Sequence, residues 1–235
     1  MNIASQEFVE FSTSLILVLT IMLSLFLTQN YMKKRMRSYL FWSLGLWFFA
    51  LGVALEILFS AGYYTELLIR SYLGIVAVLV ELLALGSLQL VKGRPVKTSY
   101  YAFSVASGVA LAYFLATETV GNILKSYVVA GSPPLGDLVA SSVITFPAAA
   151  VLIATAALTY RKTHSRKMLS IIAGVVVVSI AGSLYIASFP AFLYYSEFFG
   201  IVLLWLGFFD FSRNKKTAAV SVPSDKQGLS QKTVS

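Results

Sequence analysis

Long apolar stretches of this chain are cut by short polar segments, and the polar segments are of two kinds. One kind is basic: Lys33, Lys34, Arg35 and Arg37; Lys92, Arg94 and Lys97; Arg161, Lys162, Arg166 and Lys167; then Arg213, Lys215 and Lys216, followed by Lys226 and Lys232. The other kind, around 62–66, 117–137 and 189–190, is almost free of Lys and Arg. A helix that crosses a bilayer needs ~20 mainly apolar residues. On that length the stretches predict helices at roughly 8–31, 39–61, 67–91, 99–117, 137–160, 168–188 and 191–212. Hydrocarbon offers the backbone no water, and a helix pairs its polar groups within a single segment. Length carries this assignment, and amphipathic periodicity does not.

Lys and Arg accumulate on the cytoplasmic side of membrane proteins. The four basic clusters are therefore expected inside and the three bare turns outside. The fold expected is an all-α integral membrane protein, a seven-transmembrane-helix bundle with its N-terminus out and its C-terminus in, multi-pass in the plasma membrane. Residues 1–212 form the membrane domain. Residues 213–235, rich in Lys, Ser, Thr and Gln with Pro223 and Gly228, read as a disordered cytoplasmic tail too short for an effector domain.

Composition agrees with a bilayer as solvent: 58% of residues are hydrophobic, 12% are charged and the mean hydropathy is +0.80. The net charge of +8 reads as topogenic and lipid-facing, since no basic stripe interleaved with aromatics points to nucleic acid. Glu7 and Glu10 precede the first apolar run and the basic cluster follows it, the reverse of a cleavable signal peptide. The chain has no cysteine, which excludes disulfides, thiolate metal sites and Cys nucleophiles.

Tyr63-Tyr64-Thr65-Glu66 returns as Tyr194-Tyr195-Ser196-Glu197, a step of 131 residues that also carries the first basic loop onto the third. Three helices, one linking helix and three more in the same orientation would account for it, a 3+1+3 parallel repeat. Repeat-built membrane proteins place substrate sites between their repeats. Small sugar transporters and opsin-like receptors share that layout. Yet 191–212 holds no lysine for a retinal Schiff base, and Pro147 is followed by Ala148 instead of the glutamine that marks the sugar-transporter relatives. The layout is an analogy only.

Ionisable groups within the membrane are costly and usually face the bundle interior or a cavity. Glu56, Glu197 and Arg70 are expected at one depth near the outer face. An outward-opening pocket there would have Tyr63, Tyr64, Tyr194 and Tyr195 at its rim. A simpler arrangement has Arg70 neutralise Glu66 or Glu56 at the headgroup boundary. Glu81 is expected near the bilayer centre, where a carboxyl must be protonated, paired or beside water. That makes it a candidate for proton coupling, or for a structural hydrogen bond to a neighbouring helix. Pro147 removes a backbone donor and predicts a kink or a locally opened helix flanked by Ser141, Ser142 and Thr145. Gly45, Gly52, Gly174 and Gly182 suggest close helix packing. Asp210 is expected to pair with a cytoplasmic Lys or Arg.

Catalysis finds little support. His164 is the sole histidine and sits in a basic loop, so no His-based metal or haem site assembles. No phosphate-binding glycine loop is present. No cofactor and no metal are expected. The reading is a small transporter-like or receptor-like bundle that binds a small ligand or ion in an outward-facing polar pocket. The alternative is a non-catalytic membrane subunit or sensor module acting through a membrane protein partner or a second copy.

Overall fold

A computed structural model describes residues 6–120, 124–125, 128–129, 133–164, 170–171, 173–174, 177 and 194–208. Five helices are long and apolar enough to cross a membrane: α1 (Gln6–Lys34), α2 (Arg37–Ser60), α3 (Glu66–Leu88), α4 (Arg94–Thr117) and α5 (Leu135–Thr163). A shorter apolar helix, α6 (Tyr194–Phe208), lies within the seventh expected span. Ser170, Ile171, Ala173, Gly174 and Val177 are helical within the sixth. The rest of that span, Gly182, Asp210 and the tail 213–235 lie outside the described residues.

The helix ends correct the expected boundaries. Basic residues expected in loops instead complete helices: Lys33 and Lys34 occupy the last turn of α1, and Arg161 and Lys162 that of α5. Cations there complement the negative end of the helix dipole. Between α1 and α2 only Arg35, in the left-handed region at φ 52°, and Met36 remain. α4 begins five residues early, at Arg94. Gly93 caps it at φ 145°, and Pro95 sits in the first turn, where its missing N–H costs nothing. Thr65 caps α3 by accepting the Leu68 N–H at 3.3 Å. Inside the segment expected as one outer turn, Leu124–Lys125 (β1) pairs antiparallel with Val128–Val129 (β2).

The core is built from heptad stripes. On α1 the buried positions include Thr13, Ile16, Thr20, Leu23 and Leu27; on α2 they include Trp42, Leu46, Phe49, Val53, Glu56 and Ser60. On α6 they are Tyr194, Glu197, Ile201, Leu204 and Phe208. Steps of three and four residues keep one helix face turned to its neighbours. Leu79, Leu83 and Ala84 of α3 and Ala148 and Leu152 of α5 complete the main cluster. The Trp205 indole donates to the Leu19 carbonyl at 3.0 Å and stacks on Phe26, tying α6 to α1.

Small residues set the closest approaches, as is usual for helices in lipid. A Cβ on Gly45 would meet Leu83, and one on Gly86 would collide with the Trp42 indole, whose N–H donates to Ser87 Oγ at 3.2 Å. A Cβ on Gly174 would lie 3.1 Å from the Gly200 carbonyl oxygen. At Gly52 the nearest atom is 3.5 Å away, an ordinary contact.

α4 is held differently. Ser107 and Leu111 are its buried residues, and Val105, Val109 and Tyr113 are exposed. Its polar bonds to α3 reach Glu81, Gln89 and Arg70, from Tyr100 and Tyr101 in its first third and from the carbonyls of its last turn. α5 runs without interruption through Pro147, so the opened helix expected there is absent. Val143, whose carbonyl loses its i+4 donor, lies on an exposed face.

Candidate functional site

α3 carries polar contacts on two opposite faces. Tyr72 and Glu81 are nine residues apart, which in an α-helix is about 13 Å of rise and close to half a revolution. Tyr72 turns toward α2 and Glu81 toward α4. The carboxyls that the sequence places in one membrane interior therefore form separate sites.

The first site lies toward the end of the bundle opposite the basic clusters. Glu56 is 3% exposed, one turn from the end of α2, and Tyr72 donates its hydroxyl to Glu56 Oε1 at 2.7 Å. Glu197, 7% exposed and one turn into α6, stands within electrostatic reach of Glu56. Among the described residues, neither Glu56 Oε2 nor Glu197 Oε2, both buried, has a hydrogen-bond partner. Two carboxyls of like sign in a desolvated site cannot both carry their charge cheaply. Among the described residues, no Lys, Arg or His forms an ion pair with either. Both acids continue the apolar stripes of their helices, so they are turned to the interior by the same periodicity that buries Val53 and Ile201.

The aromatic rim is only partly as expected. Tyr63 and Tyr64 are exposed in the turn after α2, and Tyr195 is exposed, but Tyr194 is 2% exposed and belongs to the buried face of α6. The two matching tetrapeptides accordingly sit in different surroundings. Glu66 is exposed at the start of α3, whereas its counterpart Glu197 is buried.

Arg70 does not join the carboxyl pair. Its Nη2 donates to Glu66 Oε1 at 2.5 Å and to the Glu118 carbonyl at 2.8 Å, and its Nη1 donates to the carbonyls of Leu115 at 2.7 Å and Ala116 at 3.3 Å. The last carbonyls of a helix have no intrahelical donors. Arg70 supplies them to α4 and places positive charge at the negative end of its dipole. Nearby, Glu118 Oε2 accepts the backbone N–H of Asp137 at 3.3 Å in the first turn of α5. Asp137 is buried, and among the described residues neither carboxylate oxygen has a hydrogen-bond partner. Sequence reasoning missed this Glu118–Asp137 neighbourhood; the acid in the first helical turn was its only signal.

The second site is Glu81, 7% exposed, about four residues past the middle of α3 toward the basic end. Tyr100 of α4 donates to its Oε2 at 3.0 Å, while Oε1 has no hydrogen bond and Ser104 stands nearby. Farther toward the basic end, a cleft of about 30 Å³ is lined by Trp42, Ser87, Thr155, Thr159, Ile171 and Phe208, among others. Its threonines donate back to carbonyls of their own helix, Thr155 to Val151 at 2.8 Å and Thr159 to Thr155 at 2.7 Å.

Among the described residues, no group of three or more His, Asp or Glu side chains is placed to hold a metal ion. No described hydrogen bond joins Pro147 to either carboxyl site. No family model, curated protein or solved structure matches this chain. What the fold defines is a helical protein with several spans suited to a membrane and buried acids between them.

Proposed function

We propose that the chain is a seven-helix protein of the plasma membrane, N-terminus out and C-terminus in, that binds a small ligand or ion at Glu56 and Glu197. It is transporter-like or receptor-like, without catalytic chemistry of its own. The observation that carries this reading is the pair of interior carboxyls, each with an oxygen that has no hydrogen-bond partner among the described residues. Fold stability alone gives no reason to keep two such groups together, because apolar residues would fill the space at lower cost. With the basic clusters in the cytoplasm, the pair lies in the outer half of the membrane and the exposed Tyr63, Tyr64 and Tyr195 mark its approach.

The cysteine-free chain permits a direct test. Single cysteines at positions 56 and 197 are expected to react with a membrane-impermeant thiol reagent added outside, and a cysteine at Leu46 is not. A tag at Met1 is expected to be accessible outside and a reporter after residue 215 to lie in the cytoplasm. Labelling of 56 and 197 from the cytoplasmic side alone, or both termini on one side, would overturn the reading.

A second reading, a membrane subunit or sensor module that acts through a partner or another copy, draws on α4. Its exposed apolar residues leave a whole face open. Cross-linking from Val105→Cys to a partner chain in native membranes would favour it, and lipid-only neighbours would not.

A further inference from the structure

The ligand at the Glu56–Glu197 site follows from what the site lacks. Glu56 of α2 and Glu197 of α6 are buried within electrostatic reach of each other there, and the contact seen from a third helix is the Tyr72 hydroxyl at 2.7 Å from Glu56 Oε1. The nearest arginine along α3, Arg70, is occupied by Glu66 and by the carbonyls that end α4. Of the other elements at this end, α6 contributes the buried Tyr194. Antiparallel pairing with α2 brings Thr13 and Glu10 of α1 to the same level. None of these supplies positive charge; Lys125 lies in the β1–β2 hairpin, whose β2 packs against α2, and no described ion pair joins it to either acid.

We infer that the Glu56–Glu197 pair is a monovalent-cation site that takes up one cation in exchange for one proton. The inference rests on the pocket reading above and names what the pocket holds. With both carboxyls protonated the site is neutral. When a cation enters, one O–H bond breaks, its proton leaves to water, and the carboxylate formed binds the cation. The second carboxyl keeps its proton, so the site is again neutral. A divalent ion fits less well, because hard divalent cations take six or more oxygen ligands and no third acid is grouped with the pair among the described residues. Tyr72 acts as a positioning residue. By donating to Oε1 it leaves Oε2 of Glu56 as the oxygen without a hydrogen bond among the described residues, in the manner of outer partners that orient metal ligands.

The experiment uses the purified full chain in detergent, weakly buffered, with a pH indicator. Sodium chloride is added against choline chloride at equal ionic strength. The wild type is expected to release about one proton per chain at saturation, and the folded double variant Glu56→Gln/Glu197→Gln none. Tyr72→Phe is expected to keep the release but to need about 10–100-fold more sodium for half-saturation. This variant keeps the test open should the double Gln variant fail to fold. No release from folded wild type with sodium or potassium would overturn the inference. So would equal release from the double Gln variant, an unchanged midpoint in Tyr72→Phe, or release of two protons by calcium where sodium releases none. Cysteines at 56 and 197 that label from outside while the wild type releases no proton would defeat this inference and leave the pocket reading standing. Absence of outside labelling would defeat that reading itself.

Discussion

Replacing Glu81 with Leu removes the acceptor that the Tyr100 hydroxyl reaches at 3.0 Å. The loss is felt because α4 has so little else: Ser107 and Leu111 are its buried residues, and much of its remaining apolar surface is open. A fully buried donor left without a partner costs about 1–3 kcal/mol, and Tyr100 is half-buried, so the lower part of that range applies. Interhelical hydrogen bonds in membranes are weaker as pairs, averaging about 0.6 kcal/mol with a maximum near 1.7. Glu81→Leu is therefore expected to destabilise the bundle by about 1–2 kcal/mol. The double variant Glu81→Leu/Tyr100→Phe should cost less than the sum of its parts, by roughly 0.5–1.5 kcal/mol. Glu81→Gln keeps an acceptor and should unfold like the parent. The assay is reversible unfolding in mixed micelles, followed by tryptophan fluorescence. Strict additivity of the two single variants, or a Gln variant as damaged as the Leu variant, would refute the hydrogen bond as the tie between α3 and α4. A Gln variant that folds normally but loses a pH-dependent activity would assign Glu81 a titrating role instead.

Three other outcomes follow from the packing. Gly86→Ala forces a methyl group into the Trp42 indole and should destabilise by about 1–3 kcal/mol, whereas Gly52→Ala, with its nearest neighbour at 3.5 Å, should change stability little; thermal unfolding of the two side by side checks this. Arg70→Ala withdraws the donors to the carbonyls of Leu115, Ala116 and Glu118, so amide hydrogen exchange in the last turn of α4 should accelerate. Glu66→Gln should leave that exchange nearly unchanged, because a half-exposed ion pair contributes about 0–1 kcal/mol.

The spans were legible because a bilayer crossing demands apolar length and little else, and five such helices lie within a few residues of the expected ones. Their ends were less so. Helices run on into the basic clusters, since Lys33, Lys34, Arg161 and Lys162 gain from the helix dipole what a loop reading denies them. Glu56 and Glu197 were visible as membrane acids. Their inward direction was also written in the sequence, in the steps of three and four from Trp42 through Val53 to Glu56 and from Glu197 through Ile201 to Phe208. Reading Tyr194 as a rim residue ignored that phase and relied on likeness to Tyr63. The partners of Arg70 could not be read at all. Free carbonyls at a helix end belong to the backbone and leave no mark in residue identity.

The pairing of Glu56 with Glu197 is open to one direct chemical measurement. A hydrophobic carbodiimide reacts with protonated carboxyls within membranes, and mass spectrometry of the digested chain identifies the residue modified. If the two acids share one site, wild type should take a single adduct, on Glu56 or on Glu197, because the first adduct fills the space beside the second. Sodium should slow the reaction, and Glu197→Gln should move all of this reactivity to Glu56. Adducts on both residues of the same chain, formed at independent rates, would contradict the account, as would reaction confined to Glu81.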